Sequence, residues 1–321
     1  MKAAIWTAYG SPDVITVGER PMPSPKPQQI LVKVHNSTVT SGDAKMRRFD
    51  VPTGLWLPTR LAFGVFKPRQ HIPGMDFAGE VIEVGSGVND YSVGDRVFGT
   101  TDMALGAHAE YLCIDARKTV AKLPDDVPYA DAAALIFGGI TALHFLDERV
   151  EAGHKVLING ATGGVGSMAA QLAKLHGAEI TAICSAANHA LAATLGAVTT
   201  VDYRQTDLPL GTTQYDLILD CVGNLSLAEH KTLLAPNGKL IAINTGLLTM
   251  LRSLTTPQLV CGVAMGGKQS LHRLVELYQT GDLRPVIQDT CPLEDIAEAH
   301  RCVDSGHKCG SVLISLNVGS N

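Results

Sequence analysis

The chain has 321 residues, which is longer than one hydrophobic core usually spans and predicts two domains. Hydrophobic residues make up 45% of it and charged residues 18%, a balance typical of a folded globular protein and not of a disordered one. The formal net charge is −5 and there is no basic run, so nothing points to nucleic acid as a partner. Seven scattered cysteines without a CxxC pair are typical of the reduced thiols of a cytoplasmic protein.

No segment predicts export or membrane insertion. The first ten residues, MKAAIWTAYG, carry one lysine and no long apolar run, which argues against a signal peptide. The most apolar late segment, residues 247–267, is interrupted by Arg252 and Gln258 and is a poor membrane span. We therefore expect a cytoplasmic protein without a membrane partner.

The pattern of apolar residues divides the chain into three regions. Residues 1–125 read as short strands between turns, among them KAAIW, QILVKVH, FAGEVIEVG and DRVFG, and predict a small β-barrel. Residues 126–265 alternate strands such as KVLIN and EITAIC with helical patterns, which predicts βαβ units and a doubly wound parallel sheet. Residues 266–321 hold helical stretches near 268–279 and 294–303 and a last strand, SVLISL. The predicted fold class is α/β.

A strand, a glycine cluster and a helix are predicted in succession within LINGATGGVGSMAAQLAK, residues 157–174. In such a turn, Gly163 permits a tight bend, Gly164 lets a phosphate approach the backbone and Gly166 lets helix and strand pack closely. The helix N-terminus offers free N–H groups to a pyrophosphate. We predict a dinucleotide here, with contacts from Ala161, Gly163, Gly164, Val165 and Gly166; the alternative is a tight turn without a ligand.

The residues after the next strand bear on which dinucleotide binds. NAD-binding units usually place an Asp or Glu there, on the adenosine ribose. Here EITAIC is followed by Ser185-Ala186-Ala187-Asn188, without a carboxylate to repel a 2′-phosphate. Ser185, Asn188 and Tyr203 can hydrogen-bond that phosphate, so we predict NADPH as the cofactor, with NADH as the alternative. Ser185 and Asn188 can also be read as caps of the next helix and nothing more.

Several longer segments occur in one order along the chain: PGMDFAGEVIEVGSGVNDYSVGDRVFG, AAALIFGGITALHFL, the glycine cluster, LGAVTTVDY, YDLILDCVG and LLAPNGKLIAI. In this order they resemble the zinc-free quinone oxidoreductase branch of the medium-chain dehydrogenase/reductase superfamily. The resemblance covers nearly the whole chain. It implies a GroES-like β-barrel domain formed by both chain ends, a Rossmann domain between them, an active site in the cleft between the two, and a homodimer.

The zinc alcohol dehydrogenases of that superfamily hold a catalytic metal with Cys and His side chains. The resemblance aligns their ligand positions with Thr40, Met75 and the neighbourhood of Phe137, whose side chains cannot form a tetrahedral zinc site. The four-cysteine loop that holds structural zinc in those relatives is absent. We therefore expect no metal and read Met75 and Phe137 as apolar walls of a substrate pocket. His108 and His307 are expected at the surface.

Without zinc, no Lewis acid lowers the pKa of an alcohol, and alcohol oxidation is disfavoured. A quinone or an α,β-unsaturated carbonyl can instead accept hydride at carbon while negative charge moves to its oxygen. The enzyme then needs a hydrogen-bond donor for that oxygen. Thr40 is the candidate, with Asp43 orienting the loop that carries it. The alternative for Thr40 is a hydroxyl bonded to its own backbone.

The resemblance also implies contacts to the nicotinamide and ribose from Thr141, Gly223, Thr245 and Gly246. Relatives often carry Lys or Arg near Ala187, and alanine cannot pair with a phosphate there. The leading hypothesis is an NADPH-dependent, zinc-independent oxidoreductase that reduces small-molecule quinones or α,β-unsaturated carbonyls. Two alternatives stay open: a non-catalytic NADPH-binding redox sensor, and an enoyl-thioester reductase.

Overall fold

The structure is a computed structural model that describes residues 1–51, 54–205, 213–225, 232–243, 245–264 and 266–316. The chain divides into two compact units. Unit 1 comprises Met1–Val51, Leu55–Phe137 and Gly266–Asn321, and unit 2 comprises Pro52–Gly54 and Gly138–Met265. The sequence analysis draws the corresponding domain limits at residues 125 and 265, whereas the first division between the units falls inside a helix.

Unit 1 is built around one large sheet. Its strands are β1 Lys2–Trp6, β2 Ile15–Glu19, β3 Gln29–Val39, β4 Asp76–Val84, β5 Arg96–Thr100, β6 Tyr111–Asp115, β7 Val120–Lys122, β14 Ile287–Pro292 and β15 Ser311–Ser315. Seven of them form a sheet in which β3 pairs with β15, β4 and β6, while β1 and β2 form a separate antiparallel pair. Alternate residues of β3, such as Ile30, Val32 and Val34, lie in the core because successive side chains of a strand point to opposite faces.

The helices of unit 1 flank this sheet. They are α1 Ser41–Arg48, α2 Trp56–Phe63, the first half of α3 Tyr129–Leu146, α7 Lys268–Thr280 and α8 Ile296–Asp304. Helix α3 is long and apolar enough to cross a membrane by length and composition, but it is largely buried in the structure, as a core helix is. Tyr278 and Ser311 hydrogen-bond to Asp131 and to the Ala134 carbonyl, which ties the first half of α3 to unit 1.

Buried polar groups link several elements of unit 1. The guanidinium of Arg47 is fully buried, where it binds Asp304 and the Gly10 carbonyl and donates to His300 Nδ1 at 3.3 Å. His108 is also fully buried, with Ser37 Oγ 2.9 Å from its Nδ1, so the expectation that His108 lies at the surface is wrong. Burial lowers the pKa of His108 to about 3, which keeps the ring neutral. His307 is exposed, as expected.

Unit 2 contains a six-stranded parallel sheet with α-helices along the chain between its strands. The strands are β8 Lys155–Asn159, β9 Glu179–Cys184, β10 Ala197–Asp202, β11 Tyr215–Asp220, β12 Leu234–Ala242 and β13 Leu259–Cys261, in the order β10-β9-β8-β11-β12-β13. The described helices are the second half of α3, α4 Gly164–Leu175, α5 His189–Thr194 and α6 Leu247–Ser253. The strand order reverses between β8 and β11, and ligands of such sheets bind at this reversal, outside the carboxyl ends of the strands.

The glycine turn between β8 and α4 differs in one respect from the sequence-based assignment. Gly163 has an ordinary extended conformation, with φ −75° and ψ 179°, so the tight bend does not depend on it. The residue with positive φ is Gly160, at +80°. Gly166 does allow a close approach, since a Cβ there would lie 2.1 Å from the Gly160 carbonyl oxygen. The bend and the close approach therefore depend on Gly160 and Gly166.

Replacing Gly166 by alanine is expected to destabilise unit 2 strongly. The new Cβ would meet backbone atoms, the Gly160 oxygen at 2.1 Å and Ala161 Cα at 2.8 Å, so strand and helix must separate. We expect a loss of more than about 2 kcal/mol in the free energy of unfolding, measured with urea. Gly163→Ala is the matched control, because its Cβ would make an ordinary 3.4 Å contact. Equal effects of the two substitutions would contradict this account of the turn.

Candidate active site

The carboxyl ends of β8 and β11 are joined by a buried hydrogen-bond network. Asn159 Nδ2 donates to Asp220 Oδ1 at 2.8 Å and to Asn224 Oδ1 at 2.7 Å. Asp220 Oδ1 also accepts from the backbone N–H groups of Val222 and Gly223. Gly223, one of the predicted cofactor contacts, is thereby fixed next to the reversal of strand order. Asn159 and Asp220 are not among the predicted site residues, although each is a polar residue that ends a predicted apolar strand.

The N-terminus of α4 lies at the same edge of the sheet. Its N-cap, Gly163, has no side chain to cap the helix, and the first turn contains no acidic residue. The first N–H groups of the helix therefore keep their hydrogen-bonding capacity and the partial positive charge of the helix end. The loop from Ala161 to Gly166 is thus suited to an anion such as a pyrophosphate.

The residues predicted to contact the adenosine end lie after the two neighbouring strands β9 and β10. Cys184 pairs with Asp202 at the ends of these strands, which places Ser185 and Tyr203 side by side. Asn188 Nδ2 donates to Thr162 Oγ1 at 3.4 Å, which links this corner to the glycine loop. Neither Ser185 nor Asn188 makes a side-chain cap to the short helices that follow, so the capping alternative receives no support.

Arg204 adds a cation to this corner. Its guanidinium carbon lies 5.7 Å from the centre of the Tyr203 ring. The carboxylate of Asp202 accepts the Arg204 backbone N–H at 3.0 Å. The side chains of Ser185, Tyr203 and Arg204 therefore lie at this edge of the sheet, together with the Asp202 carboxylate.

The remaining predicted nicotinamide contacts also belong to unit 2. Thr141 is buried on α3. The Oγ1 atom of Thr245 is buried and has no hydrogen-bond partner among the described residues, which is unusual for a hydroxyl. The next residue, Gly246, is the N-cap of α6, and a Cβ built on it would meet open space. Thr245 thus carries a buried hydroxyl without a partner among the described residues, and the space that a ligand would need lies at the next residue, Gly246.

In unit 1, Thr40 and Asp43 form a reciprocal cap at the start of α1. The Thr40 hydroxyl donates to Asp43 Oδ2 at 2.6 Å and accepts from the Asp43 N–H at 3.1 Å. The Thr40 N–H also donates to Asp43 Oδ2 at 2.8 Å. This capping box fixes the position of both side chains, in keeping with the expectation that Asp43 orients the loop of Thr40. A catalytic role for either residue stays a prediction.

A second carboxylic acid, Asp76, is fully buried near Asp43. Burial, and after it the charge of Asp43, raise the pKa of Asp76 to about 8. Burial also raises the pKa of Asp43, to about 6, against hydrogen bonds from Thr40 that lower it. Thr38 Oγ1 donates to Asp76 Oδ2 at 3.3 Å. At neutral pH the pair therefore holds a proton, mainly on Asp76.

The predicted pocket residues meet around a glycine that sequence reasoning did not single out. A Cβ built on Gly42 would lie 2.6 Å from Met75 Cε, 3.3 Å from Thr40 Oγ1 and 3.6 Å from Phe137 Cε2. Thr40, Met75 and Phe137 thus converge, as the prediction of a common site requires. Gly42 has no side chain between them, which leaves room for the methionine methyl group.

The side chains at these positions do not fit a zinc ion. A threonine hydroxyl engaged with Asp43, a thioether and a phenyl ring offer no set of thiolate, imidazole or carboxylate ligands. Among the described residues, no group of three or more His, Cys, Asp or Glu side chains is placed to hold a metal ion.

Comparison with known proteins identifies the family to which this chain is similar. The family model described as "Alcohol dehydrogenase GroES-like domain" matches residues 26–125, and the one described as "Zinc-binding dehydrogenase" matches residues 195–314. The chain is 31% identical to the chloroplast envelope quinone oxidoreductase homolog of Arabidopsis thaliana, over 92% of each chain. It is 30% identical to the NADPH-dependent alkenal/one oxidoreductase of the same organism, over 98% of this chain and 79% of the relative.

A solved structure agrees with these matches over the whole length. The quinone oxidoreductase of Coxiella burnetii superposes with a TM-score of 0.88 and 28% identity, over 99% of both chains. The GroES-like domain and the parallel-sheet domain confirm the predicted fold class, and the relatives show that the chain is an oxidoreductase. The chain belongs to the medium-chain dehydrogenase/reductase superfamily, in its quinone oxidoreductase branch.

The pKa of Asp76 predicts how one substitution depends on pH. The folded-state pKa, about 8, lies above the ordinary value of 3.8, so the stability that Asp76 contributes is present below pH 3.8 and is lost as the pH rises to 8. Asp76→Asn should therefore stabilise the protein relative to wild type by an amount that grows to a few kcal/mol from pH 4 to pH 8.

Urea unfolding at both pH values measures this difference. Asp90→Asn, at an exposed carboxylate, controls for the loss of one negative charge. A difference between Asp76→Asn and wild type that is the same at both pH values would show that Asp76 does not carry a buried proton.

Proposed function

We propose that the protein uses NADPH to reduce quinones or α,β-unsaturated carbonyls by hydride transfer, without zinc. The observation that carries the proposal is the uncapped, acid-free N-terminus of α4 at the reversal of strand order, where such sheets bind dinucleotides. The relatives named for quinone and for NADPH-dependent alkenal/one reduction support the reaction class. The resemblance further supports a homodimer, and the scattered cysteines without a CxxC pair support the cytoplasm as its location.

The residues of unit 2 fit the nucleotide at three places. The loop Ala161–Gly166 would bind the pyrophosphate through backbone N–H groups. Ser185, Asn188 and Tyr203 would contact the adenosine end. The segment Ser185–Asn188 has no acidic residue, and the one carboxylate beside it, that of Asp202, accepts the Arg204 N–H. Thr141, Gly223, Thr245 and Gly246 would contact the ribose and nicotinamide. When bound, the reduced nicotinamide supplies the hydride.

The residues of unit 1 would handle the acceptor. Met75 and Phe137 provide apolar contacts for a flat carbonyl compound. Thr40 is the proposed donor to the oxygen that becomes negative, and Asp43 positions it through the capping box. Because these side chains offer no zinc ligands, nothing at this place would lower the pKa of an alcohol, and reduction of an electron-poor acceptor is the feasible reaction.

Acceptor-dependent oxidation of NADPH tests this function. We expect loss of NADPH absorbance with quinones such as 1,2-naphthoquinone or with short enones. Gly164→Val should abolish both NADPH binding and turnover, since a side chain there takes the place of the phosphate. Gly267→Val is the control, because Gly267 also lies at the start of a helix, as the N-cap of α7 in unit 1, and has open space around it.

The outcomes separate the alternatives. NADPH binding without turnover of any acceptor would favour the non-catalytic redox sensor. Turnover of enoyl thioesters alone would favour the thioester reductase. Unchanged NADPH affinity in Gly164→Val would contradict the pyrophosphate site.

A carboxylate introduced at Ser185 should change the cofactor preference. Ser185→Asp places a negative charge beside the predicted 2′-phosphate and should weaken NADPH binding roughly tenfold, while NADH binding is kept or improved. Ser185→Ala removes the hydroxyl without adding charge and should have a smaller effect. The dissociation constants of both nucleotides, measured by titration, give the comparison. Parallel changes for NADPH and NADH would place the discriminating residue elsewhere.

A further inference from the structure

One segment of unit 1 exposes an unusual amount of apolar surface. We call residues 55–70, which include helix α2, the 55–70 segment. Helix α2 has no buried residue. Trp56 is 51% exposed, Leu57 61%, Leu61 55% and Phe66 93%. Leu57 and Leu61 are four residues apart on one helix, so they lie on the same face. A contiguous patch of large exposed apolar side chains, unlike a single one, marks a surface that binds a protein, a membrane or a ligand.

The segment is held in this arrangement by contacts on its inner side. The guanidinium of Arg60 lies 4.3 Å from the ring centre of Tyr9 and 3.9 Å from that of Phe49. The Tyr9 hydroxyl donates to the Gly64 carbonyl at 3.1 Å. A Cβ at Gly64 would lie 1.9 Å from the Lys67 carbonyl oxygen, so the turn that presents Phe66 is tight. These contacts of unit 1 therefore hold the segment in a conformation that exposes its apolar residues.

An apolar cavity lies directly beside the segment. It has a volume of about 190 Å³ and is lined by Trp6, Tyr9, Phe63, Arg69, Met103 and Leu105, among others. Met103 is itself 51% exposed, so the apolar surface continues from the segment across the cavity. A cavity of this size accommodates part of a hydrocarbon chain.

The charge of the segment indicates what kind of surface it meets. Between Val51 and Met75 the chain carries Arg60, Lys67 and Arg69 but no Asp or Glu, although the whole protein has a net charge of −5. Lys67 and Arg69 are exposed next to Phe66. Along the chain the nearest carboxylates on either side are Asp50 and Asp76, and Asp50 is 3.8 Å from Arg48. Exposed aromatic and leucine side chains flanked by cations are typical of segments that lie in the interface of an anionic bilayer.

We propose that the 55–70 segment docks the protein on anionic phospholipid bilayers. Trp56, Leu57, Leu61 and Phe66 enter the acyl–headgroup boundary, while Lys67 and Arg69 contact the lipid phosphates. The sequence analysis expects no membrane partner because no segment spans a bilayer, and docking of a surface segment needs no span. The proposal does not depend on the proposed enzymatic function.

Vesicle binding of the full chain tests the proposal. Co-sedimentation should occur with vesicles of phosphatidylcholine mixed in equal parts with phosphatidylglycerol, and should weaken with phosphatidylcholine alone. Reversing both charges in Lys67→Glu/Arg69→Glu should lower the bound fraction at least tenfold, since each cation near such a surface is worth roughly fivefold. Phe66→Glu should abolish binding. Val198→Glu is the matched control, because Val198 is 71% exposed in unit 2.

The chain has two tryptophans, which provide a direct readout of insertion. Trp6 is 2% exposed and Trp56 is on the segment, so a blue shift of emission on adding anionic vesicles should come from Trp56. The shift should disappear in Trp56→Phe. Because Phe66 is almost fully exposed, Phe66→Glu should leave thermal unfolding unchanged, which separates loss of docking from loss of fold.

Three results would overturn the proposal. The first is absence of binding to every vesicle, and the second is equal binding by Phe66→Glu and wild type. The third is a change of oligomeric state in Phe66→Glu, measured by light scattering, without any vesicle binding by wild type. That result would assign the segment to contact with a second copy of the chain.

Discussion

The geometry of unit 2 depends on the close approach of two backbone segments, one at Gly160 and the other at Gly166. Helix α4 starts directly against the end of β8 because Gly166 has no Cβ to hold it away from the Gly160 carbonyl, which also accepts the Gly163 N–H at 3.0 Å. The other side of the same strand end is fixed by Asn159, through Asp220 of β11. These contacts set where the uncapped helix N-terminus stands relative to the turn at Gly223. The anion site and the neighbouring turn thus depend on one compact junction.

Unit 1 also contains charged and polar groups in its interior. Arg47, His108 and His300 are fully buried, and so are the acids Asp43 and Asp76. Arg47, His108 and Asp76 bond to partners from distant parts of the chain, as with Ser37 and His108 or Arg47 and Asp304, whereas Asp43 bonds to Thr40 in its own capping box. Such a network costs desolvation free energy, but it leaves few arrangements open to the side chains near Thr40.

The sequence predicted β8 and β9 well because they are buried on both faces. KVLIN and EITAIC are apolar runs with sharp ends, and β8 and β9 have these same limits. The strand β14 was missed because its residues, IQDTCP, are mostly exposed and show no apolar pattern. Burial of His108 could not be read from its neighbours in sequence, since its partner Ser37 is brought to it by the fold. Likewise, a row of glycines does not reveal that Gly160 takes positive φ and Gly163 does not.

The capping box constrains what Thr40 can do. A hydroxyl has one proton, and in the structure that proton is directed to Asp43 Oδ2. To donate to an acceptor oxygen, Thr40 must give up this bond, which is easier when Asp43 is protonated and its oxygen is a weaker acceptor. At neutral pH Asp76 holds the proton of the pair, because its pKa, about 8, is above that of Asp43, about 6, and Asp43 stays ionised. The Thr40 hydroxyl therefore becomes more available to a substrate as the pH falls through about 6, where Asp43 takes up a proton and accepts the Thr40 hydrogen bond more weakly.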